Sequence, residues 1–219
     1  MPSEQSIYSD LLESFPMTLQ KTSEDEASKD VSGTPEVMTT CQKQVVSFDS
    51  FKKNVASDWG GKPHSCDALY RYDDNTWFLI EFKNGTLENT RENEFKPKSG
   101  EFYGIIRKLF ESLFLLTERL GQTIEFTRKN LIFILVYNED KNQCLDHSCR
   151  VGEFKVKIGL TKLGHRHDTL QMSYLSEMLP DNDNFNISYF DKLYVKKAYI
   201  CSKKIFENEF VKKFANESC

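Results

Sequence analysis

The stretch Asp67-Ala-Leu-Tyr-Arg-Tyr-Asp-Asp-Asn-Thr-Trp-Phe-Leu-Ile-Glu-Phe-Lys83 decides how this chain of 219 residues is read. Two β-rich runs, 67–72 and 77–83, flank Asp73-Asp74-Asn75-Thr76, which is a hairpin signal. Along the second run, side chains alternate. Trp77, Leu79, Glu81 and Lys83 share one face, and Phe78, Ile80 and Phe82 share the other. If Asp73-Asp74-Asn75 is a three-residue loop with Asn75 left-handed, Tyr72 faces Thr76 and Asp67 faces Glu81. Paired residues point to the same side, so Asp67, Glu81 and Lys83 then converge. A two-residue loop shifts the register by one and sends Asp67 to the opposite face.

Outward from the hairpin the pattern is α/β. Upstream, Phe48, Phe51 and Val55 lie at helical spacing within 45–57, and Gly60, Gly61 and Pro63 break that segment. Downstream, a charged polar stretch at 84–100 precedes the clearest helix, 101–121. There Ile105, Leu109, Leu113, Leu116 and Leu120 form one stripe, which Ile106, Phe110 and Phe114 are expected to widen, and Gly121 is placed as its C-terminal cap. Leu131–Tyr137 reads LIFILVY, as a strand covered on both faces would. Phe154, Val156, Ile158 and Leu160 alternate as a half-exposed strand. Residues 193–201 read as a last strand, and 203–215 as a helix with Phe206, Phe210 and Phe214 spaced by four. A single α/β domain over 45–219, with a central mixed sheet flanked by helices, is expected.

Residues 1–44 are expected to form a short helix followed by an acidic, partly flexible leader. Ile7, Tyr8, Leu11, Leu12 and Phe15 give one apolar helical face, which Pro16 limits. Residues 17–44 contain no aromatic residue and little to bury against the entropy of ordering them. The leader suits an arm for a protein partner, or a phosphate mimic laid over a basic site.

Charge is unevenly spread. The first 50 residues hold three Lys and nine Asp or Glu, whereas the other 169 hold 26 basic and 24 acidic residues. The net charge of −4 therefore does not exclude a nucleic-acid partner. No apolar run reaches the roughly 18–20 residues of a membrane span, and the first residues lack the basic and apolar regions of a signal peptide. Six cysteines without CxxC spacing read as reduced thiols of a cytoplasmic protein.

Two convergent carboxylates beside a lysine suit a hard divalent cation, because Mg²⁺ needs only one or two carboxylates plus water and phosphate oxygens. Lys83 would then serve the attacking water or stabilise developing negative charge. Asp67, followed fourteen residues later by Glu81-Phe82-Lys83 at the end of an apolar strand, resembles the PD-(D/E)xK signature of the restriction-endonuclease-like nucleases. The resemblance covers about 45–140 and includes the helix and strand that follow. It implies a restriction-endonuclease-like core and a metal-dependent nuclease cutting DNA in preference to RNA. It also implies that Asp67, Glu81 and the Phe82 carbonyl hold Mg²⁺ or Mn²⁺, with Lys83 completing the catalytic set. Cys66 stands where the signature has Pro, the meander's first strand is not evident, and Asp49 and Glu13 are the candidates for a further acidic ligand. The alternative is a catalytically inactive module of the same fold that binds nucleic acid or a protein.

Other residues carry weaker signals. Arg107 and Lys108, near the start of the central helix, are candidates to hold a phosphate, as are Lys196 and Lys197 in the lysine-rich C-terminal part. Cys144, His147 and Cys149 fit no common zinc template and read as a loop. His165-Arg166-His167 reads as an exposed basic loop, and Trp59 suits either a base or the core. Further Glu-Phe-Lys copies at 94–96 and 153–155 lack the surrounding hairpin and helix.

Overall fold

The computed structural model describes residues 4–29, 33–55, 62–87, 99–142 and 187–215. The expected strand at 154–160, Trp59, the two other Glu-Phe-Lys copies, the Cys144–His147–Cys149 group and the 165–167 cluster lie outside the described residues.

A six-stranded mixed sheet organises the chain. Its strands are β1 (Pro16–Thr18), β4 (Gln44–Ser47), β5 (Ala68–Asp73), β6 (Thr76–Lys83), β7 (Leu131–Tyr137) and β8 (Lys197–Ser202), adjacent in that order. The first four pair antiparallel, and β6–β7 and β7–β8 pair parallel. A separate two-stranded ribbon joins β2 (Glu24–Lys29) to β3 (Pro35–Val37). Parallel neighbours need a crossover. Helices α4 (Ser99–Leu120) and α5 (Ile124–Asn130) supply it between β6 and β7.

Both faces of the sheet are covered, and the alternation shows it. Trp77 and Leu79 of β6, with Leu131, Phe133 and Leu135 of β7, pack with α4, with α1 (Glu4–Ser14) and with α3 (Phe48–Val55). Phe78, Ile80 and Phe82, with Ile132, Ile134 and Val136, face the other way. There they meet the terminal helix, α6 (Lys203–Ile205), which continues with π-type turns through Phe206–Ala215. This explains why β7 is apolar at every position: neither face meets water. In the π-type segment Phe206 and Phe210 stack with ring centroids 4.8 Å apart, and Phe210 and Phe214 follow at 5.4 Å. Hydrogen bonding from i to i+5 widens the turn, so residues four apart lie nearly above one another.

Several expectations need correction. The meander does have a first strand: Gln44–Ser47 pairs Val46 with Leu69 and Ser47 with Ala68. Within the expected 45–57 helix, 48–55 is helical but 45–47 belongs to a strand, because β-branched Val45 and Val46 suit a buried strand. Phe110 and Phe114 are 37% and 61% exposed. At 3.6 residues per turn they fall outside the arc defined by Leu109, Leu113 and Leu116. Helix α5, absent from the sequence reading, is capped by Thr123, whose hydroxyl accepts the Glu125 N–H at 3.3 Å. Residues 193–196 precede β8 as a turn, where Lys192 takes a φ of 59°.

The leader is also more integrated than expected. Ile7, Tyr8 and Leu11 join the core beneath α4, and Leu19, Met38 and Cys41 join the opposite one. A few anchors separated by polar residues suffice where the chain lies against an existing core. Cys66 and Cys201 are buried thiols outside any disulfide, whereas Cys41 is disulfide-bonded, so the expectation of reduced thiols fails at that position. Among the described residues no helix is long and apolar enough to cross a membrane.

Candidate active site at the head of the β5–β6 hairpin

The hairpin reaches the expected register by an unexpected route. Ala68 pairs with Ile80, Leu69 with Leu79, Tyr70 with Phe78 and Arg71 with Trp77, the alignment expected of the three-residue loop as far as Ala68. The loop itself is two residues, with Asp73 pairing Thr76, and the shift this would cause is absorbed between Arg71 and Asp73. One extra residue on the bulged strand, Tyr72, restores the alternation. Asn75 is not left-handed, since Lys192 alone among the described non-glycine residues has a positive φ. Its N–H instead donates to Asp73 Oδ1 at 2.9 Å, which closes the turn through a side chain.

Asp67 sits one residue before β5 and is fixed by its own backbone. Its N–H donates to the Ile80 carbonyl at 3.0 Å, and its carbonyl accepts from the Phe48 N–H at 3.0 Å. The preceding Cys66 N–H donates to Ser112 Oγ of α4 at 2.8 Å, in a fully buried contact. The Asp67 carboxylate accepts the Phe82 N–H at Oδ2, 2.6 Å away. The N–H and C=O of one strand residue leave the same edge. The Phe82 carbonyl therefore lies on the side of β6 that faces Asp67, while the Lys83 carbonyl accepts from Asn138 on the β7 side.

Glu81 is wholly buried. Its Oε1 accepts from Lys108 Nζ at 2.7 Å and lies 3.6 Å from Lys83 Nζ. Lys108 Nζ is also 3.6 Å from Asp67 Oδ1. The second oxygen, Glu81 Oε2, is buried without a hydrogen-bond partner, a costly state for a carboxylate. Burial, followed by the neighbouring Asp67 charge, pushes the Glu81 carboxyl up to about 8 against the pull of Lys108 and Lys83. Burial likewise raises Asp67. Desolvation acts to lower Lys108, but Glu81 and Asp67 outweigh it and raise its pKa.

Asp67, Phe82 and Lys83 border a cleft of about 290 Å³ that Ser23, Glu24 and Asp25 of the leader also line. Beyond β6, Asn84 Nδ2 donates to Glu36 Oε2 at 2.6 Å and to Asp25 Oδ2 at 3.2 Å. Asn138 Nδ2 donates to Asn84 Oδ1 at 2.6 Å. Acidic side chains of the β2–β3 ribbon are thus seated by asparagines at the exit of β6.

The donor set suits a hard divalent cation. It offers two carboxylates and a backbone carbonyl, all oxygen donors, with one buried carboxylate oxygen unpaired. Among the described residues no group of three or more His, Cys, Asp or Glu that could hold a metal ion is present. Asp49, a candidate further ligand, is engaged elsewhere. It pairs with Lys52 and Lys53 and accepts from Ser65 Oγ at 3.2 Å. Burial acts to raise its pKa, but the two lysines outweigh that and hold it at about 2. Glu13 is exposed on α1.

The structure therefore brings Asp67, Glu81, Phe82, Lys83 and Lys108 together and leaves Arg107, Lys196 and Lys197 outside. Arg107 Nε donates to Glu111 at 2.7 Å on the exposed side of α4. Lys196 and Lys197 stand at the start of β8, where Lys197 is level with Ile132, toward the opposite end of the strands from Lys83 and Tyr137. Lys197 pairs with Asp191, and Lys196 Nζ donates to the Asn75 carbonyl. Sequence reasoning assigned Lys108 to phosphate and missed it as the direct partner of both carboxylates. The signal was present: Lys108 adjoins Leu109 and is one turn from Ser112, so it borders the buried face of α4. Compared with family models, curated proteins and solved structures, the chain finds no match.

Proposed function

We propose that this chain is a metal-dependent phosphodiester hydrolase with a restriction-endonuclease-like core, acting on nucleic acid, with DNA preferred over RNA. The observation that carries the reading is the convergence of Asp67 and Glu81 on a single cation position, with Glu81 Oε2 buried and unpaired. The chain order around it supports the same reading: an antiparallel meander β4–β5–β6, a helical crossover, and β7 parallel to β6.

Asp67, Glu81 and the Phe82 carbonyl would hold Mg²⁺ or Mn²⁺. When bound, such an ion neutralises phosphate charge and makes water a better nucleophile at neutral pH. The remaining roles belong to side chains. The Phe82 N–H holds the Asp67 carboxylate in one rotamer, and burial keeps Glu81 from wandering to solvent. Lys83, on the cleft wall, donates from Nζ to a phosphoryl oxygen and stabilises the negative charge that develops there.

A second reading, a binding module without catalysis, draws on Lys108: its ammonium already pairs with both acidic side chains. Nuclease assays on single- and double-stranded DNA and on RNA, with Mg²⁺, Mn²⁺ or EDTA, separate the two. Cutting that needs metal and disappears in both Lys83→Ala and Asp67→Ala supports the hydrolase. Binding of nucleic acid without cutting on any substrate supports the module.

A further inference from the structure

We propose that the Lys108 ammonium is a built-in stand-in for the divalent ion: it occupies the cation position between Asp67 and Glu81 and is expelled when metal binds. This inference rests on the metal-site reading above and adds a residue that regulates access to it.

The geometry is that of a bridging cation. Lys108 Nζ lies 2.7 Å from Glu81 Oε1 and 3.6 Å from Asp67 Oδ1. These are the two carboxylates that would ligate a metal, and Lys108 comes from a different element, α4. A divalent ion and an ammonium cannot share that space. Two positive species a few ångströms apart among buried groups repel by several kcal/mol even at an effective dielectric near 20. Without Lys108 the fully buried Glu81 would keep only the more distant Lys83 Nζ, 3.6 Å from Oε1, as a compensating charge, and weakening a buried ion pair in this way is destabilising. Lys108 thus holds the pair together before metal arrives.

The helix also leaves Lys108 somewhere to go. Side chains on a helix lean toward its N-terminus and cover the residue one turn earlier. For Lys108 that residue is Gly104, and a Cβ built there would meet nothing within 4 Å. Lys108 is already part exposed, with 24% of its side chain accessible. Once withdrawn, its ammonium stands beside the carboxylates at the solvent edge, available to a phosphate.

The test measures Mn²⁺ binding to the full chain by calorimetry, for wild type, Lys108→Met and Asp67→Asn. Lys108→Met is expected to bind at least about tenfold tighter than wild type, since a competing charge is removed, and Asp67→Asn to lose binding. Equal or weaker binding by Lys108→Met overturns the competition while leaving the metal site standing. Absence of Mn²⁺ binding in every protein overturns the metal site and this inference with it. A labelling readout needs no variant. Acetylation of Lys108 in wild type, followed by peptide mass spectrometry, is expected to accelerate several-fold on adding Mg²⁺. An unchanged or slower rate under conditions where metal binds overturns the expulsion.

Discussion

Lys108 Nζ of the central helix lies 2.7 Å from Oε1 of Glu81 on the central strand, so the one wholly buried carboxylate of the site is tied to the helix that crosses over it. The contact joins the two layers through charge where the apolar packing of Leu79 against α4 ends. Most of what can be tested about the site follows from how this pair and its neighbours are held.

The pH dependence of stability has a definite sign. The Glu81 carboxyl stands at about 8 in the folded chain against an ordinary value of 4.5, because burial and then Asp67 disfavour its charge. Below 4.5 both states keep the proton. Between 4.5 and about 8 the unfolded chain alone has released it, so rising pH removes stability. In EDTA, the melting temperature of wild type is expected to fall relative to that of Glu81→Gln as pH rises from 5 to 8. A difference that stays flat across that window would refute it.

Ser112→Ala leaves the buried Cys66 N–H without its acceptor. The expected loss is about 1–3 kcal/mol, the cost of an unsatisfied buried donor, read by urea unfolding. Because Cys66 precedes Asp67, catalytic or metal-binding assays on this variant should also show weakening larger than Ser50→Ala produces at a partly exposed hydroxyl pair.

Phe78→Ala removes a fully buried ring that packs against Phe210 at 4.8 Å and Phe214 at 5.2 Å. Core truncations of this kind cost about 3–5 kcal/mol. The same change at Phe114, 61% exposed on the same α4 whose inner face is buried, is expected to cost well under half as much. Comparable losses at both positions would contradict the assignment of faces.

Gly121 ends α4 with a φ of 62°, and the Gln122 N–H returns to the Thr117 carbonyl at 2.9 Å. A Cβ there meets no atom within 4 Å, so the penalty for Gly121→Ala is backbone strain alone, about 1 kcal/mol. Gly121→Asn should recover part of it, since asparagine tolerates the left-handed region. Thermal melts of the two variants side by side check this.

The sequence alone determined the layers of the sheet. Leu131–Tyr137 read as a strand buried on both faces, and the alternation along Thr76–Lys83 set which side chains share a face, because a strand's period of two admits no compromise. Gly121 announced the end of α4 for a similarly local reason, the need for a positive φ. The register that pairs Ala68 with Ile80 and brings Asp67 to the side of Glu81 was legible as one of two. What selected it was a bulge at Tyr72 in a hairpin with a two-residue loop, and no local rule marks where an extra residue is absorbed. Val45 and Val46 were hidden beside the helical spacing of Phe48, Phe51 and Val55, and became a strand only because Leu69 and Ala68 lay alongside. The partner of the buried carboxylate was decided by tertiary structure alone. Lys108 is 27 residues from Glu81, and only the angle at which α4 crosses β6 turns a lysine on the border of an apolar stripe into the counter-ion of the site. The seating of Asp25 and Glu36 on Asn84 arose the same way, since polar side chains carry no periodic signal and find their partners only once the backbone has brought them within reach.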